Sequence, residues 1–75
     1  MIDVEGVTVP RVLVLELAET LQRDGYFDTA NHLLGCLAED TRIELGPTDT
    51  RVILQLLTNR PEDLEELREA LLKRL

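Results

Sequence analysis

The segment DGYFDTANHLLGC, at residues 24–36, contains the only Tyr, Phe, His and Cys of this 75-residue chain. Within it, Asp28, His32 and Cys36 follow one another at four-residue intervals. Helical residues four apart differ by only about 40° around the axis, so the three side chains would share one face. An acid, an imidazole and a thiol are the components of an activated cysteine nucleophile.

The spacing of these three residues nevertheless argues against catalysis. Side chains in a line along one helix do not converge on a substrate carbonyl, and no oxyanion donor lies beside them in the sequence. The line also lies opposite the apolar stripe of the same helix, which predicts an exposed ridge rather than a pocket. The sequence contains no phosphate-binding glycine loop, calcium loop or nucleophile elbow. We therefore predict no catalytic residues, no cofactor and no enzymatic activity.

A metal site is a second interpretation of the same segment. His32 and Cys36 supply two possible zinc ligands, and a two-fold dimer would bring together four. A single pair is a weak signal compared with two Cys-x-x-Cys pairs, so we predict no metal ligands and keep a metal-binding dimer as a minor hypothesis. In the alternative interpretation, His32 is a solvated helix residue paired with Asp28, and Cys36 lies at the edge of the core.

The composition indicates a single small, mainly α domain over residues 1–75. Apolar residues make up 44% of the chain and aromatic residues only 3%, and sixteen residues are Leu, which favours helices. A lone Cys forms no internal disulfide, which suggests a reducing compartment. The N-terminal sequence does not resemble a signal peptide, and the longest apolar run is VLVL, so we predict a cytoplasmic protein that does not enter a membrane.

The net charge of −7 is unevenly distributed along the chain. Residues 1–40 carry eight acids and two bases, whereas residues 41–75 carry seven acids and six bases. No basic stripe is present to neutralise phosphates, which argues against direct nucleic-acid binding and against an anionic membrane surface. The acidic half would suit a basic partner protein, although a soluble acidic surface is the better explanation.

Apolar residues at helical spacing predict four helices, at about 10–24, 28–40, 49–58 and 61–75. Short strands are predicted at about 6–9 and 42–45, with the two strands paired. Gly25 is predicted to end the first helix in a positive-φ conformation, and Asp24 or Asp28 and Thr48 to cap the second and third. RVLVLEL at residues 11–17 resembles RVILQLL at 51–57, which suggests two helical hairpins in a strand–helix–helix pseudo-repeat. VLVLEL alternates as well, so a strand is the alternative for residues 11–17.

Two aromatic residues, Tyr26 and Phe27, follow the predicted helix stop at Gly25. There an aromatic side chain can close the corner of a helical hairpin by packing on both helices, or face outward and anchor an interface. We predict the packed arrangement for them.

The same region resembles the LisH helical-hairpin motif, which has a Leu, then Gly-aromatic, Thr-Ala and an apolar residue at this spacing. The matching residues are Leu21, Gly25, Tyr26, Thr29, Ala30 and Leu33. The resemblance, confined to residues 17–33, implies a dimerisation hairpin with Leu17, Leu21, Ala30 and Leu33 near the contact. The same residue types also suit any αα-hairpin.

The sequence thus favours a protein–protein interaction module, either a homodimer or a subunit of a larger complex. Val12 and Leu15 on the first helix, and Leu54 on the third, widen the apolar arcs beyond what a small monomer easily covers. An acidic inhibitor or antitoxin-like protein that masks a basic partner surface is the alternative. The interface candidates are Leu17, Leu21, Tyr26, Phe27, Ala30, Leu33, Leu64, Leu67, Leu71 and Leu72.

Overall fold

The computed structural model describes residues 1–58 and 64–74. Within them lie two strands and four helices: β1 (Ile2–Val4), β2 (Val7–Val9), α1 (Arg11–Arg23), α2 (Phe27–Glu39), α3 (Pro47–Leu57) and α4 (Glu65–Leu72). The prediction of a small, mainly α domain with four helices is confirmed. Residues 11–17 are helical rather than extended, because their apolar side chains also fit a helical period that buries Val14, Leu17 and Ala18.

The chain begins with a β-hairpin that the sequence only half predicts. β1 and β2 pair in antiparallel fashion, with Ile2 opposite Val9 and Val4 opposite Val7. The two turn residues, Glu5 at φ 53° and Gly6 at φ 86°, both have the positive φ that a type I′ turn requires. Asp3 Oδ1 also accepts a hydrogen bond from the Gly6 N–H at 2.7 Å. β2 consists of the β-branched residues Val-Thr-Val, whereas β1 contains Asp3, a residue type that is depleted in strands, which explains why the sequence predicts only β2.

The segment 42–45 is not a strand, and its neighbour is β1 rather than β2. Its only ladder contact within the described residues is one parallel bridge between Ile43 and Val4. The Ile43 N–H donates to the Asp3 carbonyl at 2.8 Å, and the Glu5 N–H donates to the Ile43 carbonyl at 3.1 Å. The predicted pairing of 6–9 with 42–45 is therefore wrong, because β1 stands between them. The second half of the suggested pseudo-repeat accordingly has no strand.

The side chain of Glu5 joins the hairpin turn to two distant parts of the chain. It is only 5% exposed. One carboxylate oxygen accepts a hydrogen bond from the Leu45 N–H, and the other pairs with the guanidinium of Arg74 at the end of α4. Glu5, Leu45 and Arg74 are called the Glu5 clasp below.

Gly25 ends α1 with the backbone conformation that the sequence predicts. Its φ is 91°, the Tyr26 N–H donates to the Leu21 carbonyl at 2.8 Å, and the Gly25 N–H donates to the Gln22 carbonyl at 3.2 Å. This pair of bonds is a Schellman motif, which satisfies the last carbonyls of the helix. Because the motif is compact, α2 can begin two residues later, at Phe27.

The caps of α2 and α3 differ from those that the sequence predicts. Tyr26 occupies the N-cap of α2 and Gly46 that of α3, and neither helix has a side-chain cap hydrogen bond. Asp28 and Thr48 each lie two residues past the observed N-cap, which is too far into the helix to cap it, and Asp24 is the C-cap of α1 instead. Pro47 takes the first helical position of α3, where its missing N–H costs nothing.

The helices and the hairpin enclose one hydrophobic core. α1 packs against α2, α3 against α4, and α4 also against β2. Among the described residues, Thr29 and Thr50 are polar residues that are buried as a whole, and both are satisfied: Thr29 Oγ1 donates to Asp49 Oδ1 at 2.6 Å, and Thr50 Oγ1 donates to the Gly46 carbonyl at 2.8 Å. The buried apolar residues are Ile2, Val4, Val9, Val14, Leu17, Ala18, Leu21, Ala30, Leu33, Ile43, Leu45, Ile53, Leu54, Leu57, Leu64, Leu67 and Leu71.

The last helix is described over Glu65–Leu72, which is shorter than the predicted 61–75. The predicted start of this helix at residue 61 and its predicted end at residue 75 lie outside the described residues. None of the helices in the described part of the chain is long and apolar enough to cross a bilayer.

Candidate functional site

Most of the predicted interface residues are covered by the chain itself. Seven of the ten are at most 3% exposed: Leu17, Leu21, Ala30, Leu33, Leu64, Leu67 and Leu71. In this packing they belong to the core and are not accessible to a partner. The other three are exposed: Tyr26 at 41%, Phe27 at 60% and Leu72 at 45%.

The line of Asp28, His32 and Cys36 along α2 does not form a shared site. The Nε2 of the exposed His32 lies 2.7 Å from the Glu44 carbonyl oxygen, which can only accept, so Nε2 carries a proton and donates. Cys36 is half-buried and packs against the core, whereas Asp28 lies exposed at the other end of α2. Residues 1–58 and 64–74 contain no group of three or more His, Cys, Asp or Glu residues placed to hold a metal ion.

An open apolar depression of about 370 Å³ runs between α1 and α2. Its α1 side is formed by Val12 and Leu15, which are 60% and 41% exposed, and its α2 side by the half-buried Leu34 and Leu37. α1 turns Val14, Leu17 and Ala18 toward the core. Val12 lies about 100° or more around the helix axis from each of these residues, and Leu15 lies about 100° or more from Val14 and Leu17, so both remain exposed. We call this surface the α1–α2 groove; its lining is Arg11, Val12, Leu15, Leu34, Leu37 and Ala38.

The one charged side chain that lines the α1–α2 groove is already neutralised within the chain. Arg11 Nη1 donates to Asp40 Oδ1 at 2.5 Å, and Arg11 Nη2 donates to the Leu37 carbonyl at 2.6 Å. These bonds hold the guanidinium over the C-terminal end of α2, where the helix dipole favours a cation. The groove therefore presents apolar atoms with almost no net charge.

A second depression, of about 440 Å³, lies where the N-termini of α2 and α3 approach each other. Tyr26 and Phe27 stand on one side of it and the half-buried Val52 on the other. The charged residues among its lining are two acids, Asp28 and Asp49. We call this surface the aromatic corner; it is lined by Gly25, Tyr26, Phe27, Asp28, Thr29, Thr48, Asp49 and Val52.

The aromatic corner corrects the prediction that Tyr26 and Phe27 pack inside the hairpin. The Schellman motif ends α1 at Arg23, so no further turn of α1 is present to cover Tyr26 and Phe27. The side of α2 that packs inward is formed by Thr29, Ala30 and Leu33 instead. The two aromatic side chains thus remain at the surface.

Sequence reasoning did not place the α1–α2 groove among the candidate sites. The available signal was the wide apolar arc of α1, in which Val12 and Leu15 fall outside the main stripe. On α3 the same signal has a different outcome, because Leu54 is buried at 8% exposure. Periodicity alone does not show which of two wide arcs will be covered, since this depends on how the helices pack.

Both depressions present apolar or aromatic side chains at the surface, as surfaces that bind another macromolecule do. The chain matches no protein-family model, no curated protein and no solved structure. The candidate function therefore depends on the geometry of the two surfaces alone.

Proposed function

We propose that this chain is a non-enzymatic, cytoplasmic protein-interaction domain that forms a homodimer through the α1–α2 groove. The observation that carries the proposal is the exposure of Val12 and Leu15 beside the half-buried Leu34 and Leu37. Because Val12 and Leu15 line the same depression as Leu34 and Leu37, a single contact would cover all four side chains.

Two copies of the groove would cover each other's apolar side chains. Burying the exposed part of each such side chain contributes about 1 kcal/mol, so one pair of grooves gains several kcal/mol. The loss of translational and rotational freedom opposes this gain. We therefore expect a weak dimer, with a Kd on the order of a millimolar, which corresponds to about −4 kcal/mol.

The charge distribution favours a second copy over a basic partner at this surface. Each chain carries a net charge of −7, so two copies repel each other over most of their surfaces. The groove has almost no net charge, because Arg11 is paired with Asp40. Two copies therefore meet there with the least repulsion. Salt should strengthen this dimer, since it screens the remaining repulsion while the apolar contact persists.

Light scattering on a size-exclusion column, from micromolar to millimolar protein and at low and high salt, tests the dimer. Leu15→Glu places a charge in the groove and is expected to weaken the dimer at least tenfold. Leu72→Glu is the matched control, because Leu72 has nearly the same exposure, 45% against 41%, but lies on α4 outside the groove lining. Circular dichroism checks that both variants fold.

Three results would contradict the proposal. The first is a wild-type chain that remains monomeric at millimolar concentration. The second is a dimer that survives Leu15→Glu but is disrupted by Leu72→Glu, which would place the contact on α4 instead. The third is a dimer that weakens with salt, which would exclude an apolar contact as its main source.

A further inference from the structure

The aromatic corner differs from the α1–α2 groove in composition and in charge. It contains both aromatic residues of the chain, Tyr26 and Phe27, and both are exposed. Beside them lie the carboxylates of Asp28 and Asp49, and no basic residue is among the lining. Aromatic faces next to carboxylates form a surface that attracts a planar organic cation.

The geometry of the corner holds one of the two carboxylates in place. Asp49 Oδ1 accepts a hydrogen bond at 2.6 Å from Thr29 Oγ1, and Thr29 is buried at 4% exposure. This bond joins the first turn of α2 to the first turn of α3. A fixed carboxylate loses little side-chain entropy when it binds a cation, which favours binding at this position.

The corner remains negative after the helix dipoles are included. Asp28 lies in the first turn of α2 and Asp49 in that of α3, and each helix N-terminus contributes about half a positive charge. The dipoles therefore cancel about half of the two carboxylate charges. The C-terminus of α1 ends beside the corner and adds about half a negative charge. Arg23 and Asp24, which precede Gly25, cancel each other in formal charge.

We propose that the aromatic corner binds an arginine side chain of a basic partner protein. The guanidinium would stack on Tyr26 or Phe27 and pair with the carboxylates of Asp28 and Asp49, and an adjoining apolar residue of the partner would contact Val52. Arginine fits better than lysine, because its planar cation both stacks on rings and donates two parallel hydrogen bonds to a carboxylate.

The test uses two small probes that differ only in charge: the dipeptide N-acetyl-arginyl-leucine amide and its neutral isostere N-acetyl-citrullyl-leucine amide. Both are titrated into the ¹⁵N-labelled full chain, and amide shifts are followed by NMR. The arginine probe is expected to shift the amides of residues 25–29 and 48–52 with a saturating curve. The citrulline probe should bind at least threefold more weakly, and salt should weaken only the arginine probe.

Two variants of α2 provide the matched comparison. Asp28→Asn removes a carboxylate from the corner and is expected to weaken the arginine probe about threefold, the usual worth of one exposed charge pair. Glu39→Gln removes a carboxylate from the opposite end of the same helix and should leave the affinity unchanged. The monomeric Leu15→Glu variant should bind the probe as the wild type does, so this result is independent of the dimer.

Three outcomes would overturn the proposal. Equal binding of the two probes would show that charge is not recognised. Shifts spread over all acidic surfaces, or an equal effect of Asp28→Asn and Glu39→Gln, would show non-specific attraction. Concentration-dependent shifts at the corner without any probe, lost in Phe27→Ser, would assign the corner to a second copy of the chain.

Discussion

The α1–α2 groove lies between α1 and α2, the aromatic corner lies between α2 and α3, and both leave apolar side chains exposed. They differ in what surrounds those side chains. In the groove the one charged lining residue, Arg11, is paired with Asp40, whereas in the corner Asp28 and Asp49 have no basic neighbour in the lining. Under the two proposals, exposed apolar area alone does not select a partner, and the compensation of nearby charges does. The two surfaces should consequently respond to salt in opposite directions.

The largest expected effect comes from comparing a core residue of the α1–α2 hairpin with the groove residue next to it. Leu33→Ala opens a cavity at a fully buried position and is expected to lower the free energy of unfolding by about 3 kcal/mol. Leu34→Ala, at the adjacent half-buried position in the groove, should cost only about 1 kcal/mol and should weaken the dimer as well. Urea unfolding measures both losses of stability, and light scattering measures the dimer. Equal losses of stability would show that Leu34 belongs to the core.

A second comparison tests the turn that keeps Tyr26 and Phe27 exposed. Gly25→Ala forces a Cβ into a backbone with φ of 91° and is expected to destabilise the fold by about 1 kcal/mol. Gly35→Ala, in the interior of α2 with no atoms near the new Cβ, should instead stabilise it by up to about 1 kcal/mol. Thermal unfolding gives the sign of each change. Two changes of the same sign would contradict the assigned helix end.

Two surface substitutions test directly whether the groove and the corner act independently. Val12→Ser and Phe27→Ser each remove a side chain that is 60% exposed, so neither should change the free energy of unfolding by more than about 0.5 kcal/mol. Val12→Ser is expected to weaken the dimer severalfold and leave the arginine probe unaffected. Phe27→Ser should do the reverse. Light scattering measures the dimer, and NMR titration measures the affinity for the arginine probe. If each substitution weakens both, the two surfaces act as one.

The smallest expected change in dimer affinity follows from removing the charge compensation in the groove. Arg11→Gln removes the ion pair with Asp40, and because both side chains are exposed the loss of stability should stay below about 1 kcal/mol. The uncompensated Asp40 should weaken the dimer about twofold at low salt and hardly at all at high salt. Light scattering at the two salt concentrations measures this difference. A stronger dimer in Arg11→Gln would show that neutrality of the groove is not what favours self-association.

The helices could be predicted from the sequence, because each repeats its apolar residues over three or so turns and α1 ends at a glycine. The missed elements are those with little local signal. β1 has three residues, and the segment at 42–45 depends on a single bridge from Ile43 to Val4. Cap positions were displaced by one turn or less, since Asp and Thr favour the N-cap and the first turn alike.

The candidate surfaces were less predictable than the helices. Tyr26 and Phe27 were identified as unusual residues, but their exposure depends on where α1 stops relative to α3. The contact of Arg11 with Asp40 joins residues 29 positions apart, and no sequence period reports such a pair. The wide arc of α1 indicated an uncovered face, whereas the similar arc of α3 is covered. Long-range packing decides between these outcomes, and a single sequence carries little information about it.

The Glu5 clasp has a consequence for the order in which the chain folds. The α1–α2 hairpin joins neighbours in sequence, whereas Glu5 and Arg74 are 69 positions apart, so the clasp closes a loop that spans most of the chain. Closing a long loop costs more chain entropy than forming a local hairpin, which places the clasp after the main folding barrier. Glu5→Gln should therefore accelerate unfolding in stopped-flow experiments while leaving the refolding rate nearly unchanged. The clasp would then set how long the folded chain persists rather than how fast it forms.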